Sequence, residues 1–254
     1  MNIAKELAVQ SYCFRNCKKN DEVAEKVRAV GLSNIELCAV HADFADEKSF
    51  EKVIGIYEKA GVKIVSIGVQ GMNNKPEIEE KFFKFAKMAG ARLMSVSFPF
   101  SFSLDAFRSA EKLADKYEIN MGIHNHGGHH WLGSAGVLKS VFENTSSRMG
   151  LTLDTAWALD ASQDPVKMAE TFSGRLYGLH LKDFVFDKAR KPEDVIVGSG
   201  NLDLPKLFDV LKKINFNGAA ILEYEGDTEN PVPAIKKCVE AVKEIARETR
   251  ANER

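Results

Sequence analysis

The feature that most constrains the fold of this 254-residue chain is the regular alternation of short apolar segments with amphipathic ones. The apolar segments have the length and composition of buried strands, and each is followed by a segment with helical spacing. The predicted strands are 6–12, 34–40, 62–69, 92–98, 119–126, 148–156, 175–184 and 216–225. Strands that alternate with helices in this way predict a parallel sheet.

The predicted helices carry recognisable start and stop signals. They span 20–31, 46–61, 76–90, 104–118, 134–144, 164–172, 202–214 and 233–248. Gly31 and Gly61 are expected to end the first two helices, and Pro76 is expected to begin the third. A long loop is predicted at 185–201, between the seventh strand and its helix.

These eight strand–helix units follow one another without a linker or a low-complexity segment. A length of about 250 residues is typical of one TIM barrel. The sequence therefore predicts the α/β class, with a single (β/α)8 TIM barrel domain over residues 1–254. A doubly wound open sheet is the alternative, but no GxGxxG motif of a dinucleotide-binding fold follows the first strand.

Charge and hydropathy argue against several classes of partner. The net charge is −1 and no long basic run occurs, so neither nucleic acid nor an anionic membrane surface is expected as a partner. No apolar run approaches the roughly 20 residues of a membrane span. The first residues contain no signal-peptide pattern, and the four cysteines form no metal or redox motif, so a cytoplasmic location is expected.

Four polar residues interrupt the apolar ends of the last four predicted strands. They are His124, Asp154, His180 and Glu223. Because the carboxyl ends of barrel strands meet at one face, these side chains are expected to converge there. Two imidazoles and two carboxylates suit one divalent ion such as Mn²⁺, Co²⁺, Zn²⁺ or Fe²⁺. The pattern therefore predicts a metal site, and with it an enzyme.

The fifth strand leaves the identity of its ligand open. His124 and His126 are two residues apart, so alternation along a strand places both on one face. His129 and His130 lie beyond the strand in a glycine-rich loop and are predicted to be surface or lid residues. Asp154 has an alternative role, because a carboxylate at this position is also suited to capping the next helical turn.

Several further polar residues are candidates for the same face. Lys182 shares a face with His180, and it is expected either to contact a substrate oxygen or to pair with a carboxylate. Glu225 shares a face with Glu223 and is expected nearer the rim. Glu36 is an acid within the apolar second strand, where the alternative to a functional role is a salt-bridged rim residue.

The order of these motifs resembles the xylose isomerase-like barrel superfamily, which is often called the sugar phosphate isomerase/epimerase family. The resemblance covers essentially the whole chain, and its most specific segments are IHNHGG, LTLDTAW, RLYGLHLKDF, VGSGNLDLPKL and GAAILEYE. Relatives include ketose 3-epimerases, inosose dehydratases, hydroxypyruvate isomerases and endonuclease IV-type repair enzymes. The family takes its metal ligands from strands five to eight, which implies His124, Asp154, His180 and Glu223 here.

Two positions depart from the family pattern. Ketose epimerases have glutamate at the position of His124 and use it with the strand-eight glutamate to move protons. Here only Glu223 of that pair remains, so His126, Glu36 or Glu225 would supply the second acid or base. Many members also have histidine where this chain has Trp157, and an indole transfers no proton. Trp157 is expected either to stack on a sugar or to belong to the core.

The resemblance implies a metal-dependent isomerase or epimerase acting on a sugar or keto-sugar through a stabilised enediolate. The expected proton-transfer residues are Glu223, His126 and Glu36, and the expected substrate-binding residues are Gln10, Tyr12, Trp157, Lys182 and Glu225. A keto-sugar lyase or dehydratase and a non-catalytic sugar-binding barrel are the main alternatives. A metal-dependent hydrolase is a less favoured alternative: amidohydrolases also carry a His-x-His pair, but on their first strand, whereas the pair here is on the fifth. Barrels of this family often pair, which leaves a homodimer open.

Overall fold

The computed structural model describes residues 3–251, and its centre is a closed barrel of eight parallel strands. The described residues form ten strands, of which all but β8 and β9 belong to the barrel: β1 (Ala8–Gln10), β2 (Asn34–Leu37), β3 (Lys63–Gly71), β4 (Leu93–Ser97), β5 (Asn120–His124), β6 (Met149–Asp154), β7 (Leu176–Leu181), β8 (Asp183–Phe186), β9 (Pro192–Val195) and β10 (Ala219–Leu222). Around the barrel the order is β1, β2, β3, β4, β5, β6, β7 and β10, and β10 pairs with β1 to close it. The predicted (β/α)8 TIM barrel is confirmed.

Helices follow the barrel strands as the alternation predicts. They are α1 (Ile3–Glu6), α2 (Asn20–Ala29), α3 (Phe50–Lys59), α4 (Pro76–Met88), α5 (Ser103–Tyr117), α6 (Ala135–Glu143), α7 (Thr155–Asp160), α8 (Pro165–Thr171), α9 (Leu204–Lys213) and α10 (Val232–Ala251). Gly31 and Gly61 end α2 and α3 with φ of 80° and 67°, a conformation that favours glycine. The short helices α1 and α7 were not predicted, because neither is long enough for its apolar residues to show the helical repeat.

The prediction of a long loop at 185–201 is wrong, and so is the single strand predicted at 175–184. The barrel strand β7 ends at Leu181, and β8 and β9 then form an antiparallel hairpin beside the barrel. Asp183 anchors this insertion, because its carboxylate accepts hydrogen bonds from the backbone amides of Gly198, Gly200 and Leu202 at 3.0, 2.9 and 2.9 Å. The glycine-rich segment therefore wraps around a carboxylate of the chain itself.

Most residues of the barrel strands are buried, and their sequences are correspondingly apolar. All six residues of β6 are buried. The two strands β5 and β6 approach closely at Gly122, where an added Cβ would lie 2.1 Å from Thr152 Oγ1. Only glycine fits there, so this residue determines how near the ends of β5 and β6 come to each other.

Within residues 3–251, no helix combines the length and the apolar character needed to cross a membrane.

Candidate metal site and pocket

The barrel brings His124, Asp154, His180 and Glu223 together at the carboxyl ends of its strands. His124, Asp154 and His180 lie at or near the ends of β5, β6 and β7, and Glu223 directly follows β10. One ligand atom from each residue lies within 4.8 Å of those from the other three, and all four side chains are buried. We call these four residues the ligand cluster.

Two atoms of the ligand cluster are buried without a hydrogen-bond partner in the described part of the chain. They are His124 Nε2 and Asp154 Oδ2, which lie 3.4 Å apart. Leaving a buried nitrogen and a buried carboxylate oxygen unsatisfied is costly in free energy. A divalent cation satisfies both atoms, and the mixed nitrogen and oxygen donors fit such an ion.

Asp154 uses one carboxylate oxygen as a helix cap and keeps the other on the side of the ligand cluster. Oδ1 accepts a hydrogen bond from the Trp157 amide at 2.8 Å and so caps α7. Asn125 fixes the backbone of Asp154 through hydrogen bonds at both its amide and its carbonyl. These contacts hold the carboxylate rigidly and leave Oδ2 directed at the ligand cluster.

His180 is held from two sides by carboxylates. Nδ1 lies 3.0 Å from Glu223 Oε2, and Nε2 lies 2.8 Å from Glu36 Oε1. Burial alone lowers the pKa of His180, but the charges of Glu36 and Glu223 raise it well above its usual value. For Glu223 the effects are reversed: burial raises the pKa of its carboxyl group, but the charges of Lys182 and His180 lower it below its usual range. The carboxylate of Glu223 is therefore ionised at neutral pH.

Lys182 is a fully buried cation beside the ligand cluster. Its ammonium pairs with Glu225 and lies 3.5 Å from Asp194 Oδ2, on the hairpin strand β9. Burial lowers the pKa of Lys182, but the surrounding carboxylates, led by Glu223, raise it above its usual value. Burial raises the pKa of Asp194 to about 7, although Lys182 opposes this. Of the two expectations for Lys182, the structure shows the pairing with a carboxylate.

A cavity of about 440 Å³ opens above the ligand cluster. Five predicted site residues besides the ligands line it: Gln10, Tyr12, His126, Trp157 and Glu225. His124 and Glu223 of the ligand cluster also reach it. Glu36 and Lys182 are absent from its described lining, so the structure places both behind the cavity wall.

Sequence reasoning missed several lining residues. They are Cys38, Ala39, Val40, Gly68, Val69 and Ser97. Cys38, Ala39 and Val40 follow β2, where the rule that barrel sites form beyond strand ends would have found them. His130, predicted to be a surface or lid residue, also lines the cavity, and its Nδ1 accepts a hydrogen bond from the Leu132 amide.

His126 and Trp157 form a stacked pair at the pocket. Their ring centroids are 4.2 Å apart with an interplanar angle of 21°. The strand β5 ends at His124, so strand alternation does not position His126 as the sequence argument supposed. The structure includes His124 in the ligand cluster and leaves His126 at the cavity wall, which favours His124 as the strand-five ligand. Burial lowers the pKa of His126, and His124 lowers it further.

The chain is similar to solved barrel structures over nearly its whole length. A sugar phosphate isomerase/epimerase from Parabacteroides distasonis has 17% identity and a TM-score of 0.74, covering 97% of this chain and 95% of that one. The 3-keto-D-glucoside 4-epimerase from E. coli has 15% identity and a TM-score of 0.73, with coverages of 94% and 99%. D-allulose 3-epimerase from Methylomonas sp. has 13% identity and a TM-score of 0.74, with coverages of 94% and 97%. At these identities the similarity shows a shared fold.

Comparison with curated proteins gives no significant match. The sequence profile of one family does match, over residues 101–245, which is more than half of the chain and includes the whole ligand cluster. With the closed barrel, this match shows that the chain belongs to the xylose isomerase-like TIM barrel family.

Proposed function

We propose that this protein is a divalent-metal-dependent isomerase or epimerase of a sugar or keto-sugar. The observation that carries the proposal is the ligand cluster, with two buried unsatisfied atoms at the base of a cavity of about 440 Å³. Such a cavity accommodates a small polar substrate. Membership of the family and the epimerases among the structural neighbours support this class of reaction.

His124, Asp154, His180 and Glu223 would hold one Mn²⁺, Co²⁺, Zn²⁺ or Fe²⁺ ion. When bound, the ion would supply Lewis acidity for negative charge that develops on a carbonyl oxygen during proton abstraction. The rigid support of Asp154 and His180 keeps their donor atoms directed at the site.

Glu223 and His126 are the groups we propose to move protons. Glu223 presents Oε2 to His180 Nδ1, which leaves Oε1 to accept a proton from a substrate carbon. His126 lines the same cavity and stacks on Trp157, which orients its ring. A general base must lie within hydrogen-bond reach of the proton it takes, and both side chains face the cavity in which a substrate would bind.

The charge of the cavity favours an unphosphorylated substrate. Among its described lining residues none is lysine or arginine, whereas Glu223 and Glu225 both contribute carboxylates. The nearby ammonium of Lys182 is already paired with Glu225 and Asp194. The amides of Gly198 and Gly200 in the glycine-rich loop donate to Asp183 and are therefore not available to a phosphate. We therefore propose a neutral sugar or keto-sugar as the substrate.

The first test is the metal content of the purified protein after loading with each of the four ions. We expect about one equivalent of bound metal in the wild type and its loss in Glu223→Gln. The control is Glu240→Gln, which changes an exposed acid on α10 and should retain the metal. The loaded protein is then incubated with neutral keto-sugars in deuterated water, and carbon-bound deuterium is followed by NMR. Absence of bound metal after loading with every ion would overturn the proposal.

A lyase or dehydratase is the second candidate, and the position of His124 favours it. Since His124 takes the strand-five position in the ligand cluster and Glu225 is paired with Lys182, we propose Glu223 as the single base, with Oε2 facing His180 and Oε1 left for the substrate. Elimination needs a single base to remove the proton beside the carbonyl before a neighbouring group departs. Mass analysis separates the two reactions, because an isomerase product keeps the substrate mass and an elimination product loses water or an aglycone.

A further inference from the structure

We propose that Glu36 is a positioning residue that holds His180 in the orientation required of a metal ligand. This inference rests on the proposed metal-dependent function. It replaces the expectation that Glu36 transfers protons, and it assigns the buried polar network beneath the pocket to the support of the metal site.

Glu36 is fully buried and its carboxylate receives four hydrogen bonds. Oε1 accepts from Gln10 Nε2 at 2.6 Å and faces His180 Nε2 at 2.8 Å. Oε2 accepts from Ser95 Oγ at 2.9 Å and from Ser66 Oγ. These donors belong to β1, β7, β4 and β3, so the carboxylate connects five strands of the barrel across its interior.

Burying an ionised carboxylate is costly unless its oxygens are fully satisfied, and here both oxygens have two donors. Such an anion is therefore a fixed acceptor at the centre of the barrel. A neutral imidazole carries one N–H group, and an acceptor beside one nitrogen determines which nitrogen bears it. With Nε2 committed to Glu36, Nδ1 is the nitrogen on the side of Glu223 and Asp154, 3.0 and 4.0 Å away, and a bound ion would take the place of its proton.

The same contacts argue against a proton-transfer role for Glu36. The side chain does not reach the described lining of the cavity, and it contacts the ligand cluster through His180, whose other nitrogen faces Glu223. Its four donors leave no free lone pair for a substrate proton. A carboxylate that accepts from a metal-bound histidine instead orients the ring and raises its basicity, and losing such a partner typically weakens metal binding by about 10- to 100-fold.

The test compares Co²⁺ affinity and the visible spectrum of bound Co²⁺ in the wild type and Glu36→Gln. Glutamine has the shape of glutamate, but its neutral carbonyl is a weaker acceptor for His180 than a carboxylate and raises the basicity of the ring less. The two serine hydroxyls can rotate to accept from its amide, which preserves the buried hydrogen bonds. We expect Co²⁺ to bind about 10- to 100-fold more weakly, with a changed absorption spectrum. Glu79→Gln is the matched control, because Glu79 is also a buried glutamate but accepts from the backbone amides of Asn73 and Lys75 rather than from His180, and this variant should retain the wild-type affinity.

The result that overturns the inference is wild-type Co²⁺ affinity and spectrum in a folded Glu36→Gln variant. Loss of turnover with unchanged metal binding would likewise overturn it and point to proton transfer. If Glu36→Gln does not fold, Glu36→Asp replaces it, because the shorter side chain keeps the charge but withdraws from His180; the same loss of affinity is expected. If the wild type itself binds no metal, the proposed function is wrong. If the wild type binds metal and Glu36→Gln binds it equally well, only the inference about Glu36 is wrong.

Discussion

His124 Nε2 and Asp154 Oδ2 lie 3.4 Å apart at the base of the pocket, and neither buried atom has a hydrogen-bond partner among residues 3–251. The remaining polar atoms of Asp154 are well satisfied, since Oδ1 caps α7 and Asn125 binds its backbone. The unsatisfied pair is therefore a local feature of the ligand cluster, in which two further ligands lie within reach.

The substitution Asp154→Asn should abolish metal retention while preserving the fold. Asparagine caps helices about as well as aspartate, so the free energy of unfolding of the metal-free protein should change by less than about 1 kcal/mol. Loss of a charged ligand should weaken metal binding by more than the roughly 100-fold expected for a supporting residue. Elemental analysis and urea unfolding measure the two effects, and full metal occupancy in this variant would contradict the assignment of Asp154.

The fluorescence of Trp157 should report on ligand binding. The chain has two tryptophans, of which Trp157 lines the cavity, while Trp131 donates from Nε1 to the Phe98 carbonyl at 2.8 Å. A bound sugar should therefore change the emission of the wild type and of Trp131→Phe, but not of Trp157→Phe. Removing the aromatic face in Trp157→Ala should weaken binding by about 2- to 10-fold, as measured by calorimetry. A ligand-dependent signal that persists in Trp157→Phe would place the sugar elsewhere.

A phosphate ester of the sugar should bind more weakly than the neutral sugar. A phosphate in this cavity would face the carboxylates of Glu223 and Glu225, with no lysine or arginine among the described lining residues. Arg15 packs on Tyr12 at 4.6 Å, but its guanidinium donates to the backbone carbonyls of Tyr12 and Glu225. We expect a dissociation constant at least about tenfold higher for the ester, roughly 1.4 kcal/mol, in matched calorimetric titrations. Tighter binding of the ester would show that this view of the pocket is wrong.

The substitution Gly122→Ala should destabilise the barrel and disturb the metal site. The added Cβ would lie 2.1 Å from Thr152 Oγ1 and 2.9 Å from the Thr152 amide, so β5 and β6 must separate. Overpacking of this kind costs about 1–3 kcal/mol, measured by urea unfolding. Because His124 and Asp154 end these two strands, metal affinity should fall as well.

Gly55→Ala is the matched control for this substitution. It lies within α3, and no atom lies within 4 Å of its added Cβ. There the same change should stabilise the protein by roughly 0.5–1 kcal/mol, because alanine favours the helix. Equal stability changes at the two sites would contradict the role of the close approach at Gly122.

Local periodicity was sufficient to predict the barrel and the positions of its metal-ligand candidates. Strand and helix periods depend on neighbouring residues, and parallel barrel strands necessarily end at one face. Polar residues at the ends of apolar strands, such as Asp154 and His180, are therefore visible in the sequence. The hairpin formed by β8 and β9 was not predicted, because it is held by Asp183 and loop amides 15–19 residues away along the chain.

The partners of each side chain depended on closure of the barrel. The sequence favoured His124 as the strand-five ligand but left His126 as an alternative, and β5 ends at His124, which is the one included in the ligand cluster. Glu36 and His180 are 144 residues apart in the chain, yet they lie 2.8 Å from each other across the barrel interior. Periodicity shows which face of a strand a residue occupies, whereas contacts between opposite strands arise from the register and curvature of the closed sheet.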